Sequence, residues 1–401
     1  MVLAGTPSDD TAAALTDGDY LARARALAPD IAGFAERIEA ERRLPEALLD
    51  ALFDAGLYRL LLPRSFAGGE VDPASFVEII ETVAKADAST AWCLCQQAGC
   101  SMVAAFVAPD VAAAVFGRDR RAVLAWGPGP GRAVAAEGGY RVTGKWSFAS
   151  GGRHASWLGG ICSVVEADGT PRREKDGTPA IRTMLFPAGQ ATMTDIWQVI
   201  GLRGTASDAF AVDDLFVPGD YAVARDDQAS RRELGPLYCF PTSSLYAAGF
   251  AGVALGLARS TLDAFIALAR DKTPRGFKST LRDNAVIQSE VARAEARLAS
   301  SRLFLIGSLK EIWRDVAHSN VLTLAQRMRI RLAATYAIDQ ATSVVDTAYH
   351  AAGATAIFAS SPFERRFRDI HTVAQQLQGR ASHFETVGQF MLGLEPDLQF
   401  L

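Results

Sequence analysis

Cysteine and histidine are scarce in this chain, with five of each among 401 residues. An odd number of thiols gives no closed disulfide framework. Cys93 and Cys95 stand two apart, and no second Cys or His pair follows at zinc-finger distance. Reduced, mostly buried thiols and no bound metal are therefore expected. No apolar run reaches the ~20 residues needed to span a bilayer, so no membrane association is expected. Positive charge is not in excess either. The formal net charge is −4, which leaves no global field for nucleic acid or anionic lipid. Arg365, Arg366 and Arg368 cluster, but acidic neighbours interrupt them. Residues 1–18 lack the positive start and apolar stretch of a secretory signal. Residues 1–19 are expected to form a loose tail on a cytoplasmic protein.

The chain does have length and apolar content. Its 49% hydrophobic and 21% charged residues describe a globular protein, and 401 residues imply two or three domains. Leu21, Ala24, Leu27, Ile31, Phe34 and Ile38 recur at three- and four-residue steps, the period of a helix. Pro45 suits the start of another helix and Gly56 its end. Further helices are predicted over 74–87 and 90–106, so residues 20–121 read as a helical domain. Near Ala122 the texture changes. Gly and Pro crowd into Gly127-Pro128-Gly129-Pro130-Gly131, then Tyr140, Val142, Trp146 and Phe148 alternate as in a strand. Segments 181–186 and 210–217 are further strand candidates, giving a β-domain over 122–230. The glycine-rich loop is no dinucleotide fingerprint, because strand-like residues follow it where a helix is required. From 231 to 401 long helices return, at 284–315, 323–352 and 382–392, as in a bundle.

Three separated segments carry a resemblance. They are GGYRVTGKWSFASGGRHASW (138–157), WQVIGLRGTASDAFAVDDLFVP (197–218) and FERRFRDIHTVAQQLQG (363–379). Their order and spacing resemble the acyl-CoA dehydrogenase superfamily across nearly the whole chain. The FASG wording is most similar to its two-component flavin-dependent monooxygenases, the group D aromatic hydroxylases. The resemblance implies an α+β, mostly α fold: an N-terminal helical domain, a central β-barrel-like domain and a C-terminal four-helix bundle. It implies a flavin-dependent oxidoreductase using reduced flavin, FAD ahead of FMN, supplied by a separate NAD(P)H-dependent flavin reductase. With O2, a C4a-hydroperoxyflavin would hydroxylate a small aromatic or heteroaromatic substrate, such as an indole- or phenol-type acid. A homotetramer or dimer built through the bundle is expected. Two other readings are a flavin dehydrogenase or oxidase on a non-standard substrate, and a non-catalytic scaffold of the same fold.

The same resemblance assigns residues. Ser150, closing the GKWSFAS segment, falls where the family places a hydroxyl donating to flavin N5, with Phe148 beside the isoalloxazine ring. Read alone, Ser150 opens a turn before Gly151-Gly152. Trp126 and Gly127 fall in a loop that runs along the flavin's pyrimidine edge. Arg275 is similar to an arginine that reaches flavin phosphate across a subunit interface, a task that suits a guanidinium. Arg203, Thr205 and Ser207 lie in a turn near the flavin and are assigned no chemistry. The glutamate that abstracts the substrate α-proton in dehydrogenases would stand at Gln378 or near Thr242, and neither residue ionises to a base. Monooxygenase histidines match Cys100 and Gln376; Gln376 and Gln378 are expected at the flavin, where Gln376 can still donate to a flavin carbonyl and counts among the catalytic candidates. Of His154, His318, His350, His371 and His383, the acid/base candidates are His371 and His383, in the terminal segments. Cys100, Tyr246, Phe250 and Phe384 are expected to line the substrate pocket.

Overall fold

The computed structural model describes residues 15–117, 119–398 and 401. Most of the expected tail lies outside the described residues, but its last part does not behave as a tail. Helix α1 (Asp17–Gly33) begins on a capping box, in which Thr16 accepts from the Asp19 N–H and Asp19 accepts from Thr16. The expected tail boundary at residue 19 therefore moves back to Thr16. Ala24, Ile31 and, in α2 (Ala35–Glu41), Ile38 are the buried members of the predicted stripe. Helix α3 (Glu46–Asp54) starts after Pro45 and ends before Gly56, which takes a left-handed φ of 74°. Helices α4 (Pro73–Ala86) and α5 (Ala88–Ser101) are capped by Asp72 and Asp87. The predicted 90–106 helix stops early, because residues 102–105 tighten into a 3₁₀ turn ahead of α6 (Pro109–Ala112).

The central domain is one sheet of eight strands: β1 (Leu124–Gly127), β2 (Gly131–Ala136), β3 (Gly139–Ala149), β4 (Trp157–Val165), β5 (Ile181–Pro187), β6 (Thr192–Thr194), β7 (Asp208–Pro218) and β8 (Ala222–Val223). Their order is β6-β7-β3-β2-β4-β5-β8, with β1 added on β4. Trp146, Phe186 and Phe210 fill its own core, and Trp146 lies so close to β4 that a Cβ at Gly160 would meet its ring at 2.6 Å. The alternation predicted for β3 holds at Val142 and Trp146, then breaks. A register shift between Trp146 and Ala149 turns Ala149 inward and leaves Phe148 outside.

The C-terminal region comprises α7 (Thr242–Asp271), α8 (Ala285–Ser319), α9 (Leu324–Ala352), α10 (Pro362–Gln375) and α11 (Ser382–Met391). By composition α7 is apolar enough to cross a membrane, but its apolar side chains are buried between α4, α5 and α9, as in a core helix. Its glycines permit that approach: a Cβ at Gly249 would meet Cys95 Sγ at 2.4 Å, and one at Gly256 would meet Glu81 O at 2.5 Å. One continuous core thus joins the N-terminal helices to the bundle, while the sheet keeps a core of its own.

Candidate active site

Where β3 ends, the sheet, α5 and the loop before β7 meet. Phe148 adopts a left-handed φ of 59°, is 57% exposed, and stands edge-on to Trp197 at 5.9 Å between ring centres. Such a conformation is costly for a bulky residue and marks a turn held by its surroundings. The holders are visible. The Gly151 N–H donates to Thr205 O at 2.8 Å, and Gly151 O accepts from Gln97 Nε2 at 3.1 Å. Gly151 itself has φ 72°, and a Cβ there would collide with the Gln97 amide at 2.4 Å. Gly127, at the end of β1, abuts the same turn; its Cβ would lie 1.9 Å from Ser147 O.

Ser150 is buried at the centre of this junction. Trp92 of α5 donates its indole N–H to Ser150 Oγ at 3.0 Å. On the other side Ser207 Oγ is 2.7 Å away, and Thr205 Oγ1 lies 2.7 Å beyond that. Thr205 in turn donates to Leu202 O at 2.9 Å. The 202–207 strap carrying these hydroxyls is bent by left-handed residues at both ends, Leu202 (φ 50°) and Ala206 (φ 44°). Asp369 of α10 pins it, accepting the Leu202 N–H at 2.6 Å. Burial pushes the Asp369 carboxyl up to about 7, with Asp87 nearby adding to the shift.

Aromatic side chains form the floor. Trp92 stacks on Phe250 at 4.0 Å, Phe250 on Tyr246 at 5.6 Å, and Tyr246 Oη lies 3.5 Å from Cys100 Sγ. Cys100 and Phe250 are fully buried, so they support this floor from behind and offer no open wall, contrary to the lining role expected of them. The Arg225 guanidinium lies 4.6 Å from the Trp126 ring centre. Beside the turn, His154 Nε2 contacts Gln97 Oε1 at 2.9 Å and Tyr58 Oη at 3.2 Å; burial pushes its pKa down to about 4, so it is neutral at pH 7.

Ser150, Phe148, Gly127, Trp126, Cys100, Tyr246 and Phe250 are thus neighbours. The remaining assignments fall elsewhere in the chain. His371 pairs with Asp346 Oδ1 at 2.9 Å, and two residues along a helix point about 200° apart, so it faces away from the strap that Asp369 holds. His383 Nε2 donates to Leu377 O at 2.8 Å and, being buried, has a lowered pKa. Gln376 accepts from the Gln378 N–H at 2.6 Å and so closes a turn. Gln378 is buried and accepts from Arg331, a structural pairing and not an open cofactor contact. Phe384 lines a separate cleft of about 460 Å³ with Asp346 and His350. Arg275 is exposed beyond the far end of α7, which runs on past Phe250 to Asp271, roughly 30 Å at 1.5 Å per residue. Sequence reasoning missed Trp92 and Gln97, and it placed Thr205 and Ser207 in a turn near the flavin without assigning them chemistry. The only signal for the last two was their place in the GLRGTAS segment.

Family models match both helical parts: "Acyl-CoA dehydrogenase, N-terminal domain" over residues 21–114 and "Acyl-CoA dehydrogenase, C-terminal domain" over 248–378. The chain belongs to the acyl-CoA dehydrogenase family. Within it, the chain is 29% identical over 358 residues to indole-3-acetate monooxygenase of Pseudomonas putida, covering 89% of each protein. It is 28% identical over 390 residues to the oxygenase component of FADH2-dependent resorcinol hydroxylase from Rhizobium sp. strain MTP-10005, covering 91% of this chain and 92% of that one. XiaF from Streptomyces sp., solved with FADH2 and glycerol, superposes with a TM-score of 0.87 at 26% identity, over 96% of this chain and 98% of its own. The family fold expected from the three sequence segments is the fold observed.

Proposed function

We infer that this protein is the oxygenase component of a two-component flavin-dependent monooxygenase, hydroxylating a small aromatic or heteroaromatic compound with reduced flavin and O2. One observation carries the choice within the family. Both positions of the dehydrogenase base hold neutral side chains whose polar atoms are already engaged. Thr242 donates through N and Oγ1 to Asp226 at 3.0 and 2.8 Å, and the Gln378 carbonyl accepts from Arg331. No α-proton can be taken by either. The relatives, named as aromatic monooxygenases and hydroxylases, support the same reading.

The surroundings of Ser150 fit a flavin. Phe148 offers an exposed aromatic face, Gly127 brings backbone close without a side chain, and the Ser150 hydroxyl has hydrogen-bonding capacity left. Reduced flavin, when bound, supplies the electrons with which one oxygen atom enters the substrate and the other leaves as water. This chain's part is to bind and orient that ring and to exclude water with the Trp92, Phe250 and Tyr246 stack. We favour FAD over FMN, in keeping with the FADH2-dependent and FADH2-bound relatives. A separate reductase supplies the reduced flavin. Self-association through the bundle completes the proposal. Leu303 and Val286 lie exposed on α8, and a second copy would bring an Arg275 to a site it cannot reach within its own chain. Sedimentation at micromolar concentration should show a dimer or tetramer; a strict monomer would refute that part.

The deciding experiment supplies enzymatically reduced FAD, ¹⁸O₂ and a panel of indole- and phenol-type acids. One ¹⁸O atom per product molecule is the expected result. Sustained turnover of acyl-CoA thioesters with an artificial electron acceptor would return the protein to the dehydrogenases.

A further inference from the structure

We propose that Thr205 and Ser207 are positioning residues that fix the Ser150 hydroxyl as a hydrogen-bond acceptor toward the flavin, so that the site favours the reduced cofactor over the oxidised one. The inference rests on the flavin reading above and adds a direction to it. A carbonyl only accepts. Thr205 Oγ1, 2.9 Å from Leu202 O, spends its single proton there. Ser207 must then be the donor in its 2.7 Å contact with Thr205. With that proton spent, Ser207 can only accept across its 2.7 Å contact with Ser150. An indole N–H only donates, so the 3.0 Å contact from Trp92 fills a lone pair of Ser150. Ser150 is left with no proton to give and a remaining lone pair to offer, the reverse of the N5-donating hydroxyl that the family resemblance implies.

That polarity matters because the two flavin states differ at the central ring. The reduced form carries an N–H at N5; the oxidised form presents a bare nitrogen that can only accept. An acceptor-only Ser150 complements the first and is mismatched with the second. The arrangement is robust. Ser150, Thr205 and Ser207 are all buried, so water does not compete for their protons, and no member of the chain ionises near neutral pH. The strap is pinned from two sides, by Asp369 on the Leu202 N–H at 2.6 Å and by the Gly151 N–H on Thr205 O at 2.8 Å.

Four variants separate polarity from general loosening. Ser207→Ala returns the Ser150 proton to the flavin side. Thr205→Val keeps the shape of Thr205, leaves Leu202 O still bonded to Trp197 Nε1 at 3.0 Å, and lets Ser207 turn its proton toward Ser150. Thr205→Ser preserves the chain. Trp92→Phe removes a donor but no acceptor. The full-length protein is titrated with oxidised FAD in air and with dithionite-reduced FAD under anaerobic conditions. The wild type is expected to bind reduced FAD more tightly. Ser207→Ala and Thr205→Val should each lower the ratio of oxidised to reduced Kd about fivefold, equivalent to ~1 kcal/mol, the size of one net hydrogen bond. Thr205→Ser and Trp92→Phe should stay within about twofold of the wild-type ratio. Melting curves confirm folding, and Thr205→Val carries the test if Ser207→Ala does not fold. An unchanged ratio in folded Ser207→Ala and Thr205→Val overturns the proposal. So does an equal shift in Trp92→Phe, or a wild-type preference for oxidised FAD. These results leave the oxygenase reading intact, since that reading depends on product formation; a wild type that binds neither flavin removes both.

Discussion

Helix α10 has two working faces, and they are built differently. On one, Asp369 is buried and accepts the Leu202 N–H at 2.6 Å, so the helix holds the strap carrying Thr205 and Ser207, while Arg368 donates to Ile200 O just ahead of it and to Glu39 of α2 at 2.9 Å. On the other, His371 pairs with Asp346 at 2.9 Å in a half-exposed position, against Phe367, which in turn stacks on Tyr349. The histidine has the more versatile side chain, yet its partner is local and water screens the pair. The aspartate fixes the backbone of the strap whose Ser207 hydroxyl lies 2.7 Å from Ser150. Burial and connection to a network decide which face serves the site, and residue type alone does not.

The largest effect expected from a single change lies where the sheet meets the turn. A methyl group at Gly127 would lie 1.9 Å from Ser147 O and 3.2 Å from Ala149 N, so either β1 or the turn must move. Gly127→Ala should cost about 3 kcal/mol, the upper range for overpacking, and abolish flavin binding. Calorimetry and flavin titration report the two losses separately. Near-normal values of both would show that the turn is looser than its contacts imply.

On the buried face of α10, Asp369→Ala leaves the Leu202 N–H without an acceptor and should cost ~1–3 kcal/mol. Asp369→Asn keeps an acceptor oxygen and serves as a pH probe. The carboxyl rises from its ordinary 3.8 to about 7 in the fold. An acid with a raised folded pKa stabilises the protein while protonated. Its contribution is complete below about pH 4 and is lost as pH rises through about 7. Wild-type melting temperature should therefore fall between pH 4 and pH 8 more steeply than that of Asp369→Asn. Parallel curves would mean that Asp369 is ionised throughout.

The division of legibility follows the same contrast. Helix periodicity at Ala24, Ile31 and Ile38, the stop at Gly56 and the strands around Val142 and Phe210 are local patterns, and they were readable. Ser150 and Phe148 were found because a contiguous segment names them. Trp92 was not, and Ser207 was placed near the flavin without a role, because their value comes from contacts across 58 and 57 residues of chain that no spacing rule connects. His371 and His383 drew attention by residue type. Their actual partners, Asp346 and Leu377 O, satisfy them within the bundle. The neutrality of Gln378 and Thr242 was legible directly, since the absence of a carboxylate needs no structure to read.

Ser150→Ala should have a smaller effect on the fold than either change above. It removes one hydroxyl from a chain in which Ser207 still bonds Thr205, and it leaves the Trp92 indole N–H without its acceptor, so stability should drop by ~1–2 kcal/mol. The functional readout is coupling. Reduced flavin should be oxidised with more hydrogen peroxide and less hydroxylated product. Unaltered coupling would remove Ser150 from the centre of the site.

The smallest effect is expected on the half-exposed face. His371→Ala breaks its 2.9 Å pair with Asp346 and an edge contact with Phe367 at 4.4 Å between ring centres. Asp346 keeps its backbone bond to His350 Nδ1 at 2.7 Å, so the helix surface remains organised. A screened pair of this kind contributes no more than about 1 kcal/mol. Stability, flavin affinity and product yield should all stay near the wild-type values, in contrast to Asp369→Ala two residues earlier. A large loss of product yield with normal stability would break the comparison. It would mean that this face, inert within one chain, is completed by a second copy, and that the acid/base group sought in the sequence works across the interface. Mixing His371→Ala with Ser150→Ala protein would then decide the matter. Restored activity in the mixed oligomer places His371 at the partner's site, and no restoration confines its role to its own chain.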